Sequence, residues 1–100
     1  MDLSLQDKNL KLQSASKYGH DKVVSLLLKD KRVDPSADDN YAIQWASKLG
    51  YDKIVSLLLQ DERVDPSERF DPSDDYAITE ALNGEFDQVV LLLLEYRSFL

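Results

Sequence analysis

The side chains that most often carry catalysis or bind metals are few in this sequence of 100 residues. His20 is the only histidine, so a metal site or a catalytic dyad would have a single imidazole. The absence of cysteine removes disulfides, zinc–thiolate sites and cysteine nucleophiles. The phosphate-binding patterns G-x-x-x-x-G-K-[ST] and G-x-G-x-x-G are also missing. The sequence therefore predicts a protein that is not an enzyme and that uses no cofactor and no metal.

Acidic residues cluster at 38–40, 61–62 and 71–75. Two interpretations are open: a metal site, or solvated loop acids near helix N-termini, where the helix dipole favours negative charge. Calcium would need an alternating D-x-[DN]-x-[DN]-G spacing with a distal glutamate, which residues 71–75 lack. The spacing favours loop acids.

The charge balance restricts the class of partner. The chain has 19 acidic and 12 basic residues, giving a net charge of −7, and its lysines are scattered among the acids. A phosphate backbone repels such a surface, so we expect no nucleic-acid partner. The longest apolar run, residues 89–94, is too short to cross a bilayer, and no signal peptide is visible. We expect an intracellular protein, cytoplasmic or nuclear, with no membrane partner.

Internal repetition is the main organising signal. Residues 16–28 return 31 positions later as residues 47–59, and R-V-D-P-S at 32–36 returns at 63–67. A third copy follows at an offset of 35, with Y-A-I at 41–43 returning at 76–78. The extra four residues lie between Pro66 and Tyr76, so we expect an enlarged, exposed tip over residues 67–74 that contains Phe70.

Each unit is predicted to form two short antiparallel helices. Gly19 and Gly50 suit a left-handed helix end. We expect N-caps from Asn9, Asn40 and Asp75 on the first helices, and from aspartate on the second helices. The predicted helices cover residues 5–18, 21–29, 41–49, 52–60, 75–83 and 86–97. This is an all-α solenoid of three repeats within one domain of residues 1–100, with repeats at about 5–36, 37–70 and 71–100.

The pattern resembles the ankyrin repeat. The family's T-P-L-H-x-A-A-x-x-G-H segment falls on residues 10–20 and 41–51, and its I-V-x-x-L-L segment falls on 23–28, 54–59 and 89–94. Gln13, Gln44 and Thr79 replace the family histidine that bonds between neighbouring repeats, and each of them can still donate. In the third unit the glycine comes one residue early, at Gly84. A tetratricopeptide solenoid, with a period of 34, is disfavoured because its W-x-x-L-G-x-x-Y spacing is absent.

The resemblance implies a protein-binding module that uses its turn tips and the concave face of its first helices. Carried over by position, that surface comprises Gln6, Asp7, Asn9, Lys17, Tyr18, Ala37, Asp38, Asn40, Trp45, Lys48, Leu49, Phe70, Ser73, Asp75 and Asn83. The acidic tips suit a partner with a basic patch, although charge that only maintains solubility explains them equally well. Trp45 is either packed over the adjacent repeat or exposed as an anchor. The family pattern makes His20 a turn residue that packs beside the next repeat.

The C-terminal end favours a second hypothesis, a structural or self-assembling protein. Terminal repeats normally carry a polar outer face, yet the last unit has Leu91 where the others have serine. The chain then adds Tyr96, Phe99 and Leu100. We expect this apolar surface to be covered by an extended last helix that packs back or by a second copy in a two-fold contact. A fragment of a longer repeat array is the third explanation.

Overall fold

The computed structural model describes residues 4–66 and 76–98, and these residues form six helices and no strand. The helices are α1 (Leu5–Tyr18), α2 (Asp21–Leu28), α3 (Ala37–Leu49), α4 (Asp52–Leu59), α5 (Tyr76–Asn83) and α6 (Asp87–Ser98). The prediction of an all-α solenoid built from helix pairs is confirmed. The expected tip at 67–74, including Phe70, lies outside the described residues.

Each helix pair turns through one residue in the left-handed conformation. Gly19 and Gly50 have φ values of 79° and 80°, and the N–H of the residue that follows each bonds back to an alanine carbonyl at 2.9 Å. This is the predicted helix end. The glycine adopts the left-handed conformation without steric cost, and the N–H that follows it then satisfies a free carbonyl of the last turn. In the third unit Glu85 occupies the equivalent position, with φ 59°.

Replacing Glu85 by glycine is expected to stabilise the protein by about 1 kcal/mol, because a left-handed L-residue costs roughly that much. The free energy of unfolding, measured by urea titration, tests this expectation. Glu85→Ala is the control, since it removes the carboxylate but keeps the backbone cost. Equal stability of the two variants would contradict the backbone explanation.

The helix N-termini differ from the predicted caps. Ser4 caps α1, where its Oγ accepts the Asp7 N–H at 3.1 Å, and Asn9 lies inside the helix. Asp21 and Asp52 are the first residues of α2 and α4, and the residue before each makes no side-chain cap bond. The prediction of aspartate caps is therefore wrong for these two helices, and the carboxylates lie instead in the first turn, where the helix dipole favours them.

Helix α3 begins four residues before the predicted start. Its first turn contains two left-handed residues, Asp38 at φ 56° and Asn40 at φ 60°. Asparagine and aspartate adopt this conformation more easily than most residues because their short side chains can bond locally. The regular part of the helix therefore starts at Tyr41, as predicted, and Ala37–Asn40 is an irregular lead-in.

The two asparagines hold the tips of their own repeats. Asn9 Oδ1 accepts the Asp34 N–H at 2.8 Å, and Asn40 Oδ1 accepts the Asp65 N–H at the same distance. Each bond joins the start of a first helix to the V-D-P-S segment 25 residues later. The expectation that these side chains cap their own helices is corrected: they bond to the tip backbone.

The turn after each second helix is closed by an aspartate and an arginine two residues later. Arg32 and Arg63 donate to the carboxylates of Asp30 and Asp61 through the backbone N–H and through the guanidinium. The bonds from the arginine side chains hold the pKa of both carboxyls below the usual value. Arg63 Nη2 also donates to the Val33 carbonyl at 2.8 Å, which joins the second tip to the first.

The repeats stack in two layers. First helices pack on first helices, α1 on α3 and α3 on α5, and second helices pack on second helices, α2 on α4 and α4 on α6. A large and a small apolar residue, three positions apart on each first helix, lie in the core, with Leu12, Ala15, Ile43 and Ala46 all buried. In the described part of the chain, stacking gives the middle repeat a neighbour on both sides.

Aromatic rings lie over the glycine turns between repeats. The Tyr51 ring would be 3.0 Å from a Cβ added to Gly19, and the Phe86 ring would overlap a Cβ at Gly50 or at Gly84. The early glycine of the third unit therefore has a physical reason: only a residue without Cβ leaves room there for the Phe86 ring.

Candidate protein-binding surface

Trp45 forms the centre of a cluster on the first helices. The Lys17 ammonium lies 4.5 Å from the Trp45 ring centroid and the Lys48 ammonium lies 5.1 Å from it. The Tyr41 ring is 6.0 Å away, tilted by 55°. Tyr41 and Lys48 come from the same helix as Trp45, one turn before and one turn after it, so helical spacing brings them to one side.

Lys17 reaches this cluster from the neighbouring repeat. It lies at the end of α1, where its ammonium is also 5.7 Å from the Tyr18 ring, and stacking of α1 on α3 brings it over Trp45. Tyr18 is 62% exposed. We call Lys17, Tyr18, Tyr41, Trp45 and Lys48 the aromatic–lysine patch.

The patch differs in charge from the chain as a whole. It holds two lysines and no acid, in a protein with a net charge of −7. Attraction between each ammonium and the ring face contributes about 0.5–1 kcal/mol at an exposed site, which keeps the rings and lysines together. Trp45 is half-buried, and its contact with the neighbouring repeat is the Lys17 ammonium that lies over its ring.

A polar bond also crosses between repeats beside the patch. Gln13 Nε2 donates to Asp38 Oδ2 at 2.8 Å, so the glutamine of the first repeat bonds to the second. The expectation that Gln13 can donate between neighbouring repeats agrees with this bond.

A family model described as ankyrin repeats matches residues 11–99 in three copies. The chain belongs to the ankyrin-repeat family. No curated protein and no solved structure matches it. Ankyrin repeats are generally protein–protein interaction modules and are typically not enzymes.

The remaining residues of the expected surface are distributed unevenly over the ankyrin repeats. Four are exposed beside or beyond the patch: Gln6, Asp7, Asp38 and Asn83. Leu49 is also exposed, at the end of α3, while Ala37 is half-buried. Phe70, Ser73 and Asp75 lie outside the described residues.

Two residues of that expected surface turn inward. Asn40 has no exposed surface, and Asn9 is half-buried. Both side chains bond to the tip backbone of their own ankyrin repeat. Because a partner cannot reach a buried amide, the expectation that Asn40 contacts a partner is wrong.

His20 does not pack beside the next repeat. It is exposed at the start of α2, whereas its equivalent Tyr51 lies on Gly19 of the preceding repeat. This position therefore faces the preceding repeat, and the first unit has none among the described residues. The expectation that a ring at this position packs on a neighbouring repeat is correct for Tyr51, but the neighbour is the preceding repeat and not the next one.

The residues that were expected to mediate self-association do not all lie on one exposed surface. Leu91 is 52% exposed, whereas Tyr96 turns back and donates its hydroxyl to the Val64 carbonyl at 3.1 Å. Phe99 and Leu100 lie outside the described residues. Sequence reasoning missed Leu82, which is 58% exposed. The signal was present, because the equivalent residues are serines in the other two ankyrin repeats.

Across residues 4–66 and 76–98, no three acids or histidines are grouped as a metal ion would require. In the same ranges, no helix is both long and apolar enough to cross a membrane.

Proposed function

We propose that this ankyrin-repeat chain is a non-catalytic module that binds a protein partner through the aromatic–lysine patch and the adjoining tips. The placement of Trp45 between two lysines of neighbouring repeats carries the proposal. Tryptophan and tyrosine provide much of the binding energy in protein interfaces because they bury a large, rigid surface at low entropic cost. Here the stacked repeats hold them in place before a partner arrives, which lowers the cost of binding.

The charges around the patch describe the partner. Asp7 and Asp38 are exposed on the tip side, where a basic patch on the partner would face them. Lys17 and Lys48 would face acidic or aromatic groups of the same partner. An intracellular site of action, cytoplasmic or nuclear, is part of this proposal.

A second function, self-assembly, is favoured by a different observation. Leu82 and Leu91 are both more than half exposed in the last repeat. Terminal repeats usually present a polar outer face instead. Self-assembly and partner binding use different surfaces, so the two functions are compatible.

Truncating Trp45 is expected to weaken partner binding by about 30-fold or more, the effect of a hot-spot residue worth about 2 kcal/mol. Immobilised wild type, Trp45→Ala, Lys48→Glu and Lys53→Glu would be used to capture proteins from native extract. The affinity of each captured protein would then be measured by titration. Lys53 makes the matched control, since it is an exposed lysine at the start of α4, away from the patch.

The proposal requires that Trp45→Ala and Lys48→Glu lose a protein that wild type and Lys53→Glu retain. Circular dichroism must show that all four chains keep their helices. Undiminished capture by Trp45→Ala would contradict the proposed surface. Absence of any protein captured by wild type above the bare matrix would contradict the proposed function.

A further inference from the structure

The C-terminal end of the stack presents a surface that the internal repeats bury. Ser16 and Ser47, and likewise Val24 and Val55, are covered by the next repeat and have no exposed surface. Their equivalents in the third unit, Leu82 and Val90, have no such cover among the described residues. A shallow depression lies on this side of the stack, and we call its lining the C-terminal face: Leu82, Glu85, Asp87, Val90 and Leu91.

Among the described residues, the first unit has no repeat packed on its other side. Ile54 and Leu58 are buried in the second unit, as Val89 and Leu93 are in the third, whereas Val23 and Leu27 are only half-buried. Leu26, beside them, is 63% exposed. We call the following residues of the first unit the N-terminal face: His20, Lys22, Val23, Leu26 and Leu27.

The internal junction shows which residues of these two faces would meet. A groove between α2 and α4 is lined from the first unit by Asp21, Lys22 and Ser25, and from the second by Lys53, Ser56 and Leu57. The repeat offsets map the first set onto Asp87, Gln88 and Leu91, and the second set onto Lys22, Ser25 and Leu26. In a stack continued by a second copy, exposed Leu91 would lie against exposed Leu26, and Asp87 beside Lys22.

A second groove at the same junction extends this pairing. It brings Gly19 and Asp21 of the first unit together with Tyr51 and Lys53 of the second. Asp52 of the second unit also lines this groove. The same mapping places Glu85 and Asp87 of one copy beside His20, Asp21 and Lys22 of the next, so the acids of one face meet a lysine, an imidazole and one further acid on the other.

We propose that the C-terminal face of one molecule binds the N-terminal face of a second copy, head to tail, so that the ankyrin stack continues across the contact. Charge favours this contact over a two-fold contact between C-terminal faces, because only the head-to-tail contact brings Lys22 to the acids of the C-terminal face. The two-fold contact would bring the carboxylates of Glu85 and Asp87 together with their own copies, and like charges at an interface are unfavourable. A head-to-tail contact is heterologous and leaves one face free at each end, so it forms open chains.

The experiment uses two variants that each block one face. Leu91→Glu blocks the C-terminal face and Leu26→Glu blocks the N-terminal face, and both residues are exposed, so folding is preserved. Sedimentation velocity would measure the mass of wild type, of each variant and of their equimolar mixture. Leu49→Glu, an exposed leucine of the middle repeat, is the matched control.

We expect the mass of wild type and of Leu49→Glu to rise with concentration above the monomer mass of 11.4 kDa. Each blocked variant alone should stay monomeric. Their mixture should form a dimer that contains one of each, because each variant keeps the face that the other has lost. A two-fold contact between C-terminal faces predicts instead that Leu26→Glu associates alone, and one between N-terminal faces predicts that Leu91→Glu does. Either result, a mixture that stays monomeric, or a wild type that stays monomeric, would overturn the proposal.

Discussion

Replacing Leu58 by alanine is expected to lower the free energy of unfolding by about 3 kcal/mol, within the range for truncating a buried leucine side chain. Leu58 has no exposed surface and lies in α4, which packs against both α2 and α6. The cavity left by the substitution cannot collapse easily between two packed layers. Such a loss is a large fraction of the stability of a small domain.

The repeat provides a matched control for this prediction. Leu27 is the same residue at the same position of the first repeat, but it is only half-buried, and no preceding repeat covers it in the part of the chain that the structure describes. Leu27→Ala is therefore expected to cost about 1 kcal/mol, in proportion to the smaller apolar area that it buries. Urea titration of both variants, at a concentration where the chain is monomeric, would measure the difference. Equal losses would show that covering by the preceding repeat contributes nothing.

Asn40→Ala is expected to cost about 3 kcal/mol through two separate effects. The amide is fully buried and accepts the Asp65 N–H, and an N–H left unsatisfied inside a protein costs about 1–3 kcal/mol. Asn40 is also left-handed, a conformation that adds about 1 kcal/mol for alanine.

Two further variants separate these effects. Asn40→Gly keeps the backbone freedom and loses only the amide, so it should cost less than Asn40→Ala. Asn9→Ala removes the same tip bond in the first repeat, at a residue with ordinary helical backbone that is only half-buried. We expect Asn9→Ala to cost about 1 kcal/mol. If thermal unfolding showed Asn9→Ala and Asn40→Ala to be equally damaging, the left-handed conformation would carry no penalty.

The repeated elements were predictable because they depend on local chemistry. Gly19 and Gly50 indicated the left-handed turns, and the leucine runs indicated the second helices. The ends of these helices fall within about two residues of the prediction. The roles of Asn9 and Asn40 were not predictable in the same way. Their partners lie 25 residues away, and local spacing offered a helix cap as the nearer explanation.

The candidate surface was predicted only in part. The family pattern pointed to Trp45 and Lys48, but the pairing of Lys17 with Trp45 depends on how two repeats stack, which single-repeat spacing does not describe. The contact of Tyr96 was left open between self-association and packing back, for a related reason. Tyr96 lies on the apolar last helix, but its hydroxyl reaches back to the second tip, and only the packed structure shows that direction.

The tip carbonyls illustrate how copies of a repeat can diverge. A guanidinium of the second repeat bonds to the Val33 carbonyl, and a phenol of the third bonds to the equivalent Val64 carbonyl. The two donors stand at different positions of their repeats and share no chemistry beyond a polar hydrogen. What this junction requires is therefore a polar hydrogen beside the tip carbonyl of the preceding repeat, and two unlike side chains supply it.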